Sequence, residues 1–393
     1  MNILYIASTC SRKKYYEYVE NKGARVSQQA QKYNLLLAEG LYTNGSNVNI
    51  ISTRPINQSI SSKIWYKKEI EIDNGIIFTY IPFINKSLLR MIFLFFGVLF
   101  SILFSNYKKR ETVVICDVLN ISACLATLIA CAIRGYKTVA IVTDVPCHTS
   151  NMLNIPWHAK FNLYMIQKFK AYLLLTKQMN DIVNLKKRPY IVLEGHVDAK
   201  MQSLKNSIEN KYAKKICMYA GTLCRIYGIK NLVCGFIKAN IPDTELHIYG
   251  DGDFLDELKK ITKKYDNVKY CGIAPNETIV NEEMKATLLI NPRPTNEEYT
   301  KYSFPSKNME YMLSGTPVLT TRLPGMPQDH NKHVFIIETE DEEGISKALT
   351  HVLMKSAIEL YDFGQKAREF VLQEKTNVQQ AKKLLIFIND FLN

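Results

Sequence analysis

The nine cysteines are scattered from Cys10 to Cys271, and no two of them form a C-x-x-C pair. Cysteine-ligated metal clusters and dithiol redox motifs therefore lack support, and small buried thiols in a reduced, intracellular protein are the expectation. No low-complexity tract interrupts the 393 residues. No uninterrupted apolar run reaches the roughly 20 residues that a helix needs to span a bilayer. The amino terminus, MNILYIA, begins directly as a strand without a basic leader region, so no signal peptide is expected. The phosphate-binding fingerprint G-x-G-x-x-G is missing, which removes the usual argument for a bound dinucleotide. Nucleic-acid-binding motifs are missing too, and the basic residues are spread rather than interleaved with aromatics.

What is present is length enough for two domains, 47% hydrophobic residues and a net charge of +13. Such a charge calls for an anionic partner. A membrane surface ranks above nucleic acid. The most apolar stretch, LLRMIFLFFGVLFSILF from Leu88 to Phe104, has basic flanks in Lys86, Lys108, Lys109 and Arg110. It fits a buried core helix, an interfacial helix or a spanning helix, in that order.

Along the chain, strands and helices alternate. Strands are expected at 2–8, 48–52, 76–82, 112–118, 138–143, 171–176 and 190–193, with helices near 27–42 and 121–133. This is the pattern of a doubly wound α/β domain. Ligand-binding residues in such folds lie just past the carboxyl ends of strands, so Asp144 and His148 are candidates on this side. Asp144 alternatively caps a turn. The lysine-rich segment 199–215 reads as a linker. A second α/β pattern follows, with strands at 216–219, 245–249, 268–271, 286–290, 316–319 and 334–337. A helical pattern over 367–391 is interrupted around 374–377.

The second half contains NPRPTNEEYTKYSFPSKNMEYMLSGTPVLTT, from Asn291 to Thr321. A strand feeds a polar loop, then a short helix beginning near Ser306 and ending at Gly315. Unpaired N–H groups at that helix start favour an anion, with Lys307 as a mobile cation beside them. Glu310, one turn further, suits a diol such as a ribose. The residues alone leave a plainer reading open: Ser306 caps the helix, and Lys307 and Glu310 are a solvated pair.

The stretch FPSK…EY…G.PV resembles the donor-site signature of family 4 of the retaining glycosyltransferases, in the form found in bacterial surface-polysaccharide enzymes. The resemblance extends over Ala220 to Pro317 in four ordered motifs: AGTL, GDG, CGI and the FPSK stretch. It implies a GT-B fold, two Rossmann-like doubly wound domains facing across a cleft. Residues 1–198 would bind the acceptor, 199–215 link the domains, and 216–377 bind the nucleotide-sugar. A final helix, 378–393, would pack back on the first domain. The implied donor-binding set is Gly221, Thr222, Arg225, Gly250, Asp251, Ile273, Tyr302, Ser306, Lys307 and Glu310. The implied catalytic set is Glu310, Lys307, Arg293 and Asp144, with His148 and Arg25 facing the acceptor.

This sequence departs from the family at three positions. Tyr302 stands where the first of two glutamates is usual, eight residues before Glu310. Thr222 and Tyr227 stand where an arginine and a lysine usually clamp the diphosphate. Arg225, Arg293 and Lys307 are the cations available to replace them. The implied activity is retaining hexosyl transfer, from a nucleotide-diphosphate sugar to a lipid-linked saccharide, in capsular, exopolysaccharide or lipopolysaccharide assembly. It implies no metal or other cofactor, and Asp251 and Asp253 are better explained by a glycine turn. The expected setting is the cytoplasm, peripheral on the inner face of an anionic membrane, without nucleic acid as a partner. Two other functions stay open: a nucleotide-sugar epimerase on the same fold, and a non-catalytic binding subunit.

Overall fold

The computed structural model describes residues 1–18, 28–58, 60–146, 156–204 and 206–392. They divide into two compact units, residues 1–196 with 377–393 and residues 197–376.

In chain order the first unit contains β1 (Asn2–Ala7), α1 (Arg12–Tyr18), α2 (Gln28–Thr43), β2 (Asn47–Ser52), β3 (Trp65–Tyr66), β4 (Glu69–Asp73), β5 (Ile76–Tyr80), β6 (Phe83–Ile84), α3 (Ser87–Leu103), β7 (Thr112–Asp117), α4 (Ile121–Arg134), β8 (Lys137–Val142), α5 (Trp157–Ile166), β9 (Ala171–Leu174), α6 (Met179–Val183) and β10 (Tyr190–Val192). The main sheet has the order β10-β9-β8-β7-β1-β2-β5-β4. Every pairing in it is parallel except β4 with β5, which turn through Asn74-Gly75, both at positive φ. Central strands such as Val113–Cys116 and Val139–Val142 are buried along their length because helices cover both faces. α4 shows how local chemistry sets an element's ends. The Asn120 side chain accepts the Ala123 N–H at 3.1 Å, and Gly135 closes the helix at φ 67°.

The second unit contains β11 (Lys215–Ala220), α7 (Ile229–Ala239), β12 (Thr244–Tyr249), α8 (Leu255–Thr262), β13 (Val268–Gly272), α9 (Asn276–Lys285), β14 (Leu288–Asn291), α10 (Ser306–Leu313), β15 (Val318–Thr321), β16 (Phe335–Ile337), α11 (Glu342–Leu353) and α12 (Ala357–Glu374). Its sheet is β13-β12-β11-β14-β15-β16, all parallel. Both sheets thus reverse direction once, between β1 and β7 in the first and between β11 and β14 in the second. That is the doubly wound arrangement, with a crevice at each reversal.

The last helix, α13 (Asn377–Leu392), belongs to the first unit. Ala381, Leu384 and Ile388 join its core, and the Asn377 amide donates to the Leu36 carbonyl at 2.9 Å. A Cβ on Gly40 of α2 would overlap the Asn377 carbonyl, so a glycine there permits this close approach.

Segment 199–215, read as a linker, lies inside the second unit. The Lys211 ammonium donates to Ala286 O at 2.9 Å and to Thr316 Oγ1 at 2.7 Å, and the Arg368 guanidinium holds the carbonyls of Gln202 and Leu204. Part of its polar composition thus tethers turns to the body of the unit, while Lys200 and Lys214 remain exposed. α3 is likewise neither a core helix nor a span. Leu94, Val98 and Ile102 are buried, whereas the opposite row is exposed. Among the described residues, no helix is long and apolar enough to cross a membrane.

Candidate functional site

The crevice of the second unit lies where β11 ends at Ala220 and β14 ends at Asn291. Two glycine turns form its floor. The N–H of Gly221 donates to Tyr249 O at 3.0 Å, and that of Leu223 to Asp251 O at 2.9 Å. Gly250 sits at φ 131°, and a Cβ on it would overlap the Gly221 carbonyl. Only glycine allows the turns after β11 and β12 to stack so closely. Asp251 accepts the Gly252 N–H at 2.9 Å, and Asp253 accepts the Arg225 N–H at 2.9 Å. Both aspartates therefore serve these turns.

α10 supplies the next wall. Its first residue is Ser306, and the position before it is Pro305, which offers no side-chain cap. The plainer sequence reading, Ser306 as cap, does not hold. The helix is anchored from within: Asn308 accepts from the Asn291 amide at 2.7 Å, and the Tyr311 hydroxyl accepts the Ala220 N–H at 2.9 Å. Both are buried, and they lock the helix to the ends of β14 and β11. The sequence motif includes Tyr311, as the second residue of EY, but not Asn308, and it assigned this task to neither. The only signal was polar residues on the otherwise apolar inner face of a short helix.

Lys307 is not a mobile cation. Its ammonium donates to the Ala220 carbonyl and lies against Gly221, 5.8 Å from the Tyr219 ring centroid. Burial lowers its pKa, and the nearby Arg293 lowers it further, while Glu310 and Glu283 act to raise it. Arg293 follows β14, its guanidinium 4.7 Å from the Tyr227 ring centroid and 5.8 Å from that of Tyr299. Gly228, at φ 76°, brings its backbone against the Pro292 carbonyl and holds that tyrosine beside the arginine.

The crevice thus gathers Gly221, Arg293, Lys307 and Glu310 around the start of α10, with Ser306 exposed at the helix tip. Thr222 is exposed on the β11 turn. Tyr302 is in a short 3-10 turn, Glu298–Tyr302, leading into α10. Ile273 is 61% exposed, just past Gly272 at the end of β13. Arg225 is turned away to Glu257, 2.6 Å distant, and over the Phe254 ring. Of the three cations offered as replacements for the usual diphosphate clamp, two face the crevice and Arg225 is committed elsewhere.

Asp144 belongs to the first unit, past the end of β8. It accepts the Val145 N–H at 2.9 Å, and partial burial of the carboxyl raises its pKa. His148 and Arg25 lie outside the described residues. A polar cluster that sequence reasoning missed sits at the first unit's own reversal point. Asp117, buried at the end of β7, accepts from the Asn34 amide at 2.8 Å and the Leu119 N–H at 3.1 Å. Burial raises its pKa.

Residues 214–355 match the family model described as glycosyl transferases group 1. No curated protein matches the sequence. Among solved structures, a sucrose-phosphate synthase from Thermosynechococcus elongatus is similar with a TM-score of 0.69 at 13% identity, over 99% of this chain and 98% of that one. A glycosyltransferase from Rickettsia africae gives 0.68 at 15%, over 100% and 99%. Anabaena HepE in complex with UDP gives 0.64 at 12%, over 99% and 100%. At these identities the likeness establishes the fold, and that fold is GT-B.

Proposed function

We propose that the protein is a glycosyltransferase that takes a sugar from a nucleotide-diphosphate donor, with retention of configuration, and passes it to a saccharide acceptor. The observation that carries this reading is the convergence of Lys307, Arg293 and the uncapped start of α10 on the β11/β14 crevice. Departure of a nucleoside diphosphate leaves negative charge on its phosphates. Fixed cations and N–H dipoles aimed at that charge stabilise the transition state more than the ground state. Glu310, one turn into α10, is suited to accept hydrogen bonds from the ribose. The glycine turns at Gly221 and Gly250 give the backbone of Thr222 and Asp251 close access to the nucleotide, and Ile273 offers an apolar edge to the base. Tyr302 leads into α10 near the donor sugar.

The match over residues 214–355 and the UDP held by a structure of the same fold favour this donor class. The proposed chemistry uses no divalent metal, the leaving phosphate taking the acceptor proton. The first unit would bind the acceptor, with Asp144, His148 and Arg25 on that side. A lipid-linked saccharide in the assembly of a bacterial surface polysaccharide fits the basic charge. The commitment of Arg225 to Glu257 favours one competitor, a binding subunit that has lost its chemistry.

The test is a thermal-shift screen against UDP, GDP, ADP, dTDP and CMP, with Mg²⁺ and with EDTA, followed by donor hydrolysis. One nucleotide is expected to stabilise the protein equally with either addition, and slow hydrolysis of its sugar excludes the binding subunit. Glu310→Ala is expected to abolish turnover with the melting temperature preserved. Near-normal turnover in that folded variant removes the site.

A further inference from the structure

We propose that the outer face of α3 seats the first unit on an anionic lipid bilayer, lying flat in the headgroup region. α3 is apolar on two opposite rows. Leu94, Val98 and Ile102 face the core. Leu88, Ile92, Phe96, Phe100 and Phe104, each four residues from the last, face solvent and are 45–77% exposed. Phe96, Phe100 and Phe104 stack along this row, with successive ring centroids 5.9 Å apart. The patch continues onto the β3/β6 pair, where exposed Trp65 meets Phe93 of α3 at 5.7 Å with Ile64 beside it. A soluble helix ordinarily alternates an apolar face with a polar one. Here the row that should be polar is apolar as well.

Charge decides what covers it. No acidic residue occurs from Lys86 to Arg110 or from Ile60 to Lys68. Exposed Lys63, Lys67, Lys68 and Lys86 flank one end of the patch, and exposed Lys108, Lys109 and Arg110 flank the other. A two-fold contact between copies would press this face on itself. Because both ends are basic, parallel and antiparallel pairings alike would set cations against cations. A layer of anionic headgroups neutralises both ends while its acyl boundary takes the aromatic row. With 17 residues, α3 is about 25 Å long, which suits lying in the interface rather than crossing it. Trp65 at the rim is placed where an amphipathic ring favours the boundary.

The test is flotation of the full-length protein with phosphatidylcholine vesicles, with and without phosphatidylglycerol, at low and high salt. Binding is expected only to the anionic vesicles and is expected to weaken with salt. Phe96→Ala with Phe100→Ala is expected to lower partitioning by at least about tenfold, since each ring withdrawn from water counts for roughly that much. Lys108→Gln, Lys109→Gln and Arg110→Gln together are expected to lower it at least about tenfold. Variants must keep the wild-type melting temperature. The assay uses neither donor nor acceptor, so its failure is separable from failure of the transferase reading. Equal binding to both vesicle types, no binding to either, or unaltered binding by the variants overturns the proposal. So does a wild-type dimer that Phe96→Ala with Phe100→Ala converts to monomer.

Discussion

At the scale of single residues, Lys307 is the most informative position. Its ammonium is held at the end of β11 by the Ala220 carbonyl, where burial lowers its pKa. A diphosphate arriving there would favour the charged form. Only the charged form pairs with phosphate, so nucleotide affinity is expected to fall as pH rises through the lowered pKa. Titration calorimetry across pH is expected to show that decline setting in below the range of an ordinary lysine, beyond the phosphate's own ionisation. Lys307→Ala is expected to weaken binding about tenfold or more at pH 7.5 and to flatten the pH profile. Unchanged affinity in the variant would remove Lys307 from the phosphate site. The FPSK pattern made Lys307 legible as a candidate. The partner that pins it did not show, because Ala220 is 87 residues away.

At the scale of elements, the segment 199–215 shows how composition misleads. Lysines and polar residues read as solvated chain, yet the half-buried Lys211 has its ammonium held at the ends of α9 and α10. Burial lowers its pKa to about 7. The unfolded chain keeps the proton to about 10.5, so between these values it binds more protons than the folded one. Stability is therefore expected to rise from pH 7 towards pH 10 as the penalty of a buried charge is relieved. Urea denaturation at pH 6.5 and pH 9 is expected to show this rise, and Lys211→Met is expected to reduce it. An identical rise in that variant would assign it to other groups. α10 carries a similar lesson. Its apolar spacing and terminal Gly315 were readable, whereas its anchoring through Asn308 and Tyr311 depends on strands far away in sequence.

At the scale of the whole molecule, two units each carry their own sheet and core. Scanning calorimetry is expected to resolve two transitions. A nucleotide diphosphate at a hundred times its dissociation constant is expected to stabilise one of them by about 2.7 kcal/mol. A shift of both together would mean that the units unfold as one.

The sequence by itself determined the alternation of strands and helices, because fully buried parallel strands require continuous apolar runs such as TVVICD and KTVAIV. It also determined several element ends, since Asn120, Gly135 and the Ser356–Glu359 box act on their own backbone neighbours. Tertiary structure alone decided which cations face the crevice. Arg225 meets Glu257, 32 residues on, and is withdrawn, while Lys307 meets the end of β11 and stays. It alone decided that one row of α3 is covered and the other bare. Local periodicity records spacing along a helix, but which side finds a partner is settled by elements packed from elsewhere in the chain.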